Sequence, residues 1–110
     1  MEQKIYAVLN EVGIPHSLIG RDYIEKAIVI IKQRGRVSMS KELYPLVAKE
    51  FNSTPQRVER AIRHSIIRAL ENTNKDAIVK IFGNTFSFKK SKFTNTDFIF
   101  GIVRYLNFQD

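Results

Sequence analysis

Between residues 56 and 68 the chain places Gln56, Arg57, Arg60, Arg63, His64 and Arg68 at intervals that a helix gathers onto one side. With Arg57 at zero, Arg68 falls at about 20°, His64 at about 340°, Arg60 at about 300°, Gln56 at about 260° and Arg63 at about 240°. Every cationic side chain of the segment thus sits in one arc of about 140°. The opposite arc holds Val58, Ala61, Ile62, Ser65, Ile66 and Ala69, small and branched material suited to packing on another helix.

Such a face suits a polyanion. A guanidinium is a planar fork that meets the O6 and N7 acceptors of guanine with paired hydrogen bonds. Gln56 and His64 can reach base edges or phosphates, and Glu59 can accept from the amino group of cytosine. The same spacing also fits a solvated, salt-bridged surface, because Glu59 stands beside Arg60 and one helical turn before Arg63. Charge and spacing leave both readings open.

The elements that must position this face follow from start and stop signals. Thr54-Pro55 pairs a capping hydroxyl with a residue already set at helical φ, and Asn72-Thr73-Asn74 closes the pattern, so a helix is predicted over 55–71. Before it, Ser38 or Ser40 caps a helix predicted over Lys41–Phe51, with Leu43, Leu46, Val47 and Phe51 inward. Pro45 lies just past the first turn and is expected to bend or delay that helix. The short break Asn52-Ser53-Thr54 between two such helices matches a helix-turn-helix over about residues 40–71.

Ile5, Val8, Leu9 and Val12 predict a first helix over 2–12, stopped by Gly13 and Pro15. Tyr23, Ile24, Ala27, Ile28 and Ile31 predict a second from Arg21 to Gln33. There the β-branched run Ile28-Val29-Ile30-Ile31 would also suit a strand, but it continues a helical pattern and shows no alternation. Beyond the helix pair come a short helix over Asp76–Phe82, an extended segment near 84–89, the basic run Lys89, Lys90 and Lys92, and a terminal helix patterned by Phe98, Ile99, Ile102, Val103 and Leu106. Thr94 three residues before Asp97 suggests a capping box for that helix. The expected fold is an all-α single-domain bundle, residues 1–110, of about six helices.

Composition narrows the function classes. Eighteen Lys and Arg against eleven Asp and Glu leave a formal charge of +7, which favours nucleic acid or an anionic membrane surface as partner. With no cysteine, disulfides and thiolate sites are excluded. His16 and His64 have no companion ligands, and no nucleophile with a base, paired carboxylates or phosphate-cradling glycine loop appears, so neither a metal, a cofactor nor an enzymatic activity is expected. Met1-Glu2-Gln3-Lys4 leads into an amphipathic stretch instead of a signal core, and the longest apolar run, Ala27–Ile31, cannot span a bilayer; a cytoplasmic protein is expected.

The string Asn52-Ser53-Thr54-Pro55-Gln56-Arg57-Val58-Glu59-Arg60-Ala61-Ile62-Arg63-His64 resembles the DNA-contacting segment of the effector domain of the master sporulation response regulator of endospore-forming Firmicutes. The likeness extends to Glu11-Val12-Gly13-Ile14-Pro15, Leu43-Tyr44-Pro45, Ala48-Lys49, Ile81-Phe82-Gly83 and Thr94-Asn95 leading to Phe98-Ile99. The resemblance implies an all-helical bundle that binds double-stranded DNA at TGTCGAA-like boxes, often as tandem head-to-tail dimers. By position it implies that Arg57, Glu59, Arg60, Arg63 and His64 face DNA, and that Lys92 is the basic residue of a late loop. The chain departs from the family pattern at Pro55-Gln56, at Phe93 and in lacking a tryptophan after His64, while the positions that face the bases are kept.

The family regulator carries a phosphoacceptor receiver domain ahead of this one. The 110 residues hold none, so the chain reads as a stand-alone relative or an excised effector domain, with control by a regulatory protein partner as one consequence. Two other readings share the residues: an accessory DNA-binding protein for plasmid or phage DNA processing, and a protein-interaction module that presents Phe93, Phe100 and Tyr105 to a partner.

Overall fold

Each described helix has an apolar stripe, and the fold is the arrangement that buries most of that surface. The computed structural model describes residues 2–72, 75–83 and 93–109. Their order is α1 (Glu2–Glu11), α2 (Ile19–Arg34), a π turn (Met39–Leu43) running into α3 (Tyr44–Glu50), α4 (Pro55–Asn72), α5 (Lys75–Phe82) and α6 (Asn95–Gln109). No strand occurs among the described residues, so the fold is the all-α bundle the patterning predicts. The extended segment near 84–89 lies outside the described residues, as do Lys89, Lys90 and Lys92.

The centre of the bundle is α2, which packs against α1, α3, α4 and α6. Its β-branched run is helical because burial outweighs propensity. Ile28, Ile30 and Ile31 are all buried. Each buried isoleucine contributes about 1.5–3 kcal/mol, against a helix-propensity cost below about 0.7 kcal/mol per β-branched residue. Gly35, at φ 80°, ends α2 by donating its N–H to the Ile31 carbonyl at 2.7 Å.

Proline and the π turn belong together. The N–H of Tyr44 reaches back five residues to the Met39 carbonyl, and Leu43 does the same to Ser38 at 2.9 Å. This wider turn takes the chain into α3 with Pro45 in the first turn, where its missing N–H costs no helical bond. The helix predicted from Lys41 therefore starts three residues later as an α-helix, capped at its π turn by Ser38, whose Oγ accepts from Lys41 N at 3.4 Å. Glu42 closes the box by accepting from the Ser38 N–H at 2.9 Å.

Two further devices pin the ends. Thr94 Oγ1 accepts from Asp97 N, and Asp97 Oδ2 accepts from Thr94 N, both at 3.1 Å, so the capping box of α6 is complete. Lys80 on α5 meets Glu11 at the end of α1 at 2.8 Å, an exposed ion pair of small net value. Around Phe82, Phe93 and Phe98 an aromatic cluster seats α5 on α6, with Phe82 and Phe93 edge to face at 5.1 Å. Gly101 makes room for it: a β-carbon there would approach the Phe82 ring to 2.5 Å.

Phe93 is 1 % exposed, which removes it from any partner surface. The reading that displays Phe93, Phe100 and Tyr105 to another protein fails at its first residue, because the cluster with Phe82 and Phe98 buries a ring that patterning alone leaves free; the other two are half-buried against the same core. Phe51, expected inward, is instead exposed at the end of α3 and leans edge-on against Tyr23 at 5.1 Å.

Candidate nucleic-acid interface

The turn between α3 and α4 is a Schellman motif. Ser53 N–H bonds the Ala48 carbonyl at 2.8 Å and Asn52 N–H the Lys49 carbonyl at 3.4 Å, with Asn52 in the left-handed region at φ 54°. Asparagine tolerates that conformation better than other side-chain-bearing residues. We expect Asn52→Ala to lower stability by roughly 1 kcal/mol and Asn52→Gly to be neutral or better. Chemical denaturation checks both, and an alanine variant as stable as the glycine variant would contradict the strain assigned here.

From this turn α4 emerges capped. Thr54 Oγ1 accepts from Arg57 N at 3.2 Å, and the Thr54 carbonyl accepts from Val58 N at 3.0 Å, as the Thr54-Pro55 pair predicts. Val58, Ile62, Ser65, Ile66 and Ala69 are buried and Ala61 is half-buried, so the apolar arc is the seat of the helix.

The seat is unusually close at one point. Gly20, in the first turn of α2, lies where a β-carbon would stand 2.2 Å from the Ala61 carbonyl oxygen and 2.1 Å from Ser65 Oγ. The backbones of α2 and α4 touch there, and only glycine beside a small serine permits it.

The opposite arc is open. Gln56, Arg57, Glu59, Arg60, His64 and Arg68 are exposed, and Arg63 is half-buried. Gln56, Arg57, Glu59, Arg60 and His64 therefore share one surface, from the capped N-terminus of α4 to its middle. Arg68 stands apart: it lies about 16 Å along the axis from Arg57 and pairs loosely with Glu71 at 4.0 Å. Lys92 lies outside the described residues.

Arg63 is engaged within the protein. One of its terminal nitrogens donates to the Phe93 carbonyl, in the segment that leads into α6. Two residues on, Asn95 Nδ2 donates to the Glu59 carbonyl at 3.2 Å and to the Tyr44 hydroxyl at 3.1 Å. Burial raises the Tyr44 pKa above its ordinary value; the Asn95 bond opposes the shift, and the nearby Glu59 carboxylate adds to it. Tyr44, Glu59, Arg60, Arg63, Thr94, Asn95 and Thr96 together line a shallow groove of about 490 Å³ beside the exposed arc.

Sequence reasoning placed the exposed face and missed its supports. Gly20 gave a faint signal, a glycine at the head of an apolar helical pattern. Asn95 appeared only as part of the Thr94-Asn95 likeness, with nothing to say that its side chain reaches Glu59 and Tyr44. Arg21, which the sequence marked only as the start of the second helix, is 2 % exposed and bonds the Ile14 carbonyl at 2.7 Å.

Among the described residues no group of histidines or carboxylates could hold a metal ion, and no helix is long and apolar enough to cross a membrane. Residues 5–106 match the family model described as the C terminal domain of sporulation initiation factor Spo0A. That match takes in the helix pair, α2 beneath it and the segment around Asn95, so the chain belongs to this family, a DNA-binding regulatory domain and not an enzyme family.

Proposed function

We propose that the chain reads a specific duplex sequence by laying α4 in the major groove, with Gln56, Arg57, Glu59, Arg60 and His64 toward base edges and phosphates, and with Arg63, Arg68 and Lys92 flanking. The observation that carries this is the separation of faces on α4: an exposed cationic arc at the capped end of the helix, backed by buried Val58, Ile62 and Ile66. The N-terminal half of such a helix is the part that reaches base edges in helix-turn-helix proteins. As target we infer a TGTCGAA-like box, bound as a homodimer where two boxes stand in tandem, a reading that membership of a DNA-binding regulatory family supports. Transcription control from a cytoplasmic protein is the corresponding role, without cofactor or catalysis.

The test is a comparison of a duplex carrying the box with a scrambled duplex at moderate salt. Equal binding to both would overturn the reading. Within it, Arg60→Ala should cost roughly 1–3 kcal/mol and relax preference at one base pair, whereas Lys92→Ala should weaken all sequences alike and lower the salt slope by about one. Competition with singly substituted duplexes distinguishes the two patterns.

A further inference from the structure

We infer that Arg63 and Asn95 are positioning residues that latch the N-terminal end of α6 onto α4 and so set the placement of the reading face. The inference rests on the DNA-reading assignment above and gives Arg63 a task other than contact with a base.

Three observations converge. First, Arg63 is the one arginine of the arc that is half-buried, and its guanidinium is committed to the Phe93 carbonyl. Second, Phe93 is itself fixed, its ring buried between Phe82 and Phe98, so the bond ties α4 to the aromatic cluster that joins α5 to α6. Third, Asn95 is 8 % exposed and its amide bridges the Glu59 carbonyl and the Tyr44 hydroxyl, which brings α3, α4 and α6 to one point. The two latch bonds meet α4 one turn apart, at Glu59 and Arg63, on either side of the exposed Arg60.

A charge-assisted bond from a half-buried guanidinium is worth more than an exposed ion pair, because water competes less for the donor. Such bonds at a helix flank decide orientation. The exposed arc of α4 is held from beneath by α2 and α3, and from the side by the bonds of Arg63 to the segment leading into α6 and of Asn95 at the start of α6. Loosening that side lets α4 rock on its apolar seat, which weakens contact with any duplex without altering which atoms do the reading.

The experiment uses Arg63→Met, which keeps the aliphatic stem and removes the donors, Arg63→Lys as the conservative partner, and Asn95→Ala as an independent cut on the other side of the latch. Hydrogen exchange of the free protein is followed at the amides of residues 93–97, and binding is measured on the box duplex, its single-base variants and a scrambled duplex. We expect Arg63→Met and Asn95→Ala each to speed exchange at those amides by about tenfold. They should also lower box affinity several-fold with the base-preference profile unchanged in shape, and Arg63→Lys should restore part of both. Relaxed preference at a single base pair with exchange unchanged would make Arg63 a reader and overturn the latch, as would unaltered exchange in both variants. The exchange arm is read without DNA, so a failure of the box-binding reading leaves this test standing.

Discussion

Gly20→Ala is expected to lower the melting temperature by roughly 10 °C and, at temperatures where the variant is still folded, to weaken binding to the box duplex. The added β-carbon would stand 2.2 Å from the Ala61 carbonyl oxygen, closer than any unstrained contact. Ser65 could turn its hydroxyl away, but the Ala61 carbonyl belongs to the hydrogen-bonded spine of α4 and cannot move without the helix. Either α2 or α4 must retreat, opening gaps around Ile24, Ile62 and Ile66, all fully buried. Overpacking of this kind costs about 1–3 kcal/mol and more where backbone meets backbone. Gly101→Ala is the control: its β-carbon would meet the Phe82 ring, a side chain with some freedom to shift, so the cost should be smaller and the reading face undisturbed. A Gly20→Ala protein that melts with the wild type and binds as well would refute the close approach.

The second large effect is expected at Arg21. Its guanidinium donates to the Ile14 carbonyl at 2.7 Å, the Tyr6 carbonyl at 3.3 Å and Asn10 Oδ1 at 2.9 Å, and it lies over the Tyr6 ring at 5.2 Å. Glu25, one turn along α2, balances the charge at 3.4 Å from Nε. The last turn of α1 has no basic residue of its own, so Arg21 supplies from α2 the positive group that a helix C-terminus favours. Arg21→Met keeps much of the volume and removes every donor, leaving the buried Ile14 carbonyl without this partner; we expect a loss of roughly 3 kcal/mol. Urea denaturation measures it, and an unchanged midpoint would show that the buried cation is dispensable. Its bonds reach α1, its following turn and Glu25 of α2, so the base-preference profile of the folded variant should match that of the wild type. Gly20 and Arg21 are adjacent in the chain and, about 100° apart around α2, serve different neighbours, one seating α4 and the other holding α1.

Much of the fold was legible because its signals are local. Thr54-Pro55, Thr94 with Asp97, and Gly35 act within one turn of chain, and the structure uses each as a cap or stop. The apolar stripes of α1, α2, α4 and α6 depend on nothing beyond a helical repeat, so their buried residues could be named from spacing. Pro45 marked a difficulty without its solution, since a π turn is a backbone choice that no residue type dictates. Phe51 and Phe93 exchanged places relative to expectation, because which aromatic ring is covered depends on which helices meet, and helical periodicity does not say.

The cationic arc of α4 shows the same division. The sequence by itself determined that Gln56, Arg57, Arg60, His64 and Arg68 share one side and that Val58, Ile62 and Ile66 share the other, because 100° per residue is a property of the helix and of nothing else. Only the tertiary structure decided that Arg63 is drawn inward to the Phe93 carbonyl, that Asn95 reaches Glu59 from 36 residues away, and that Gly20 lets two backbones touch. Those contacts join residues far apart in the chain, and their existence depends on how helices pack once every apolar stripe has been covered.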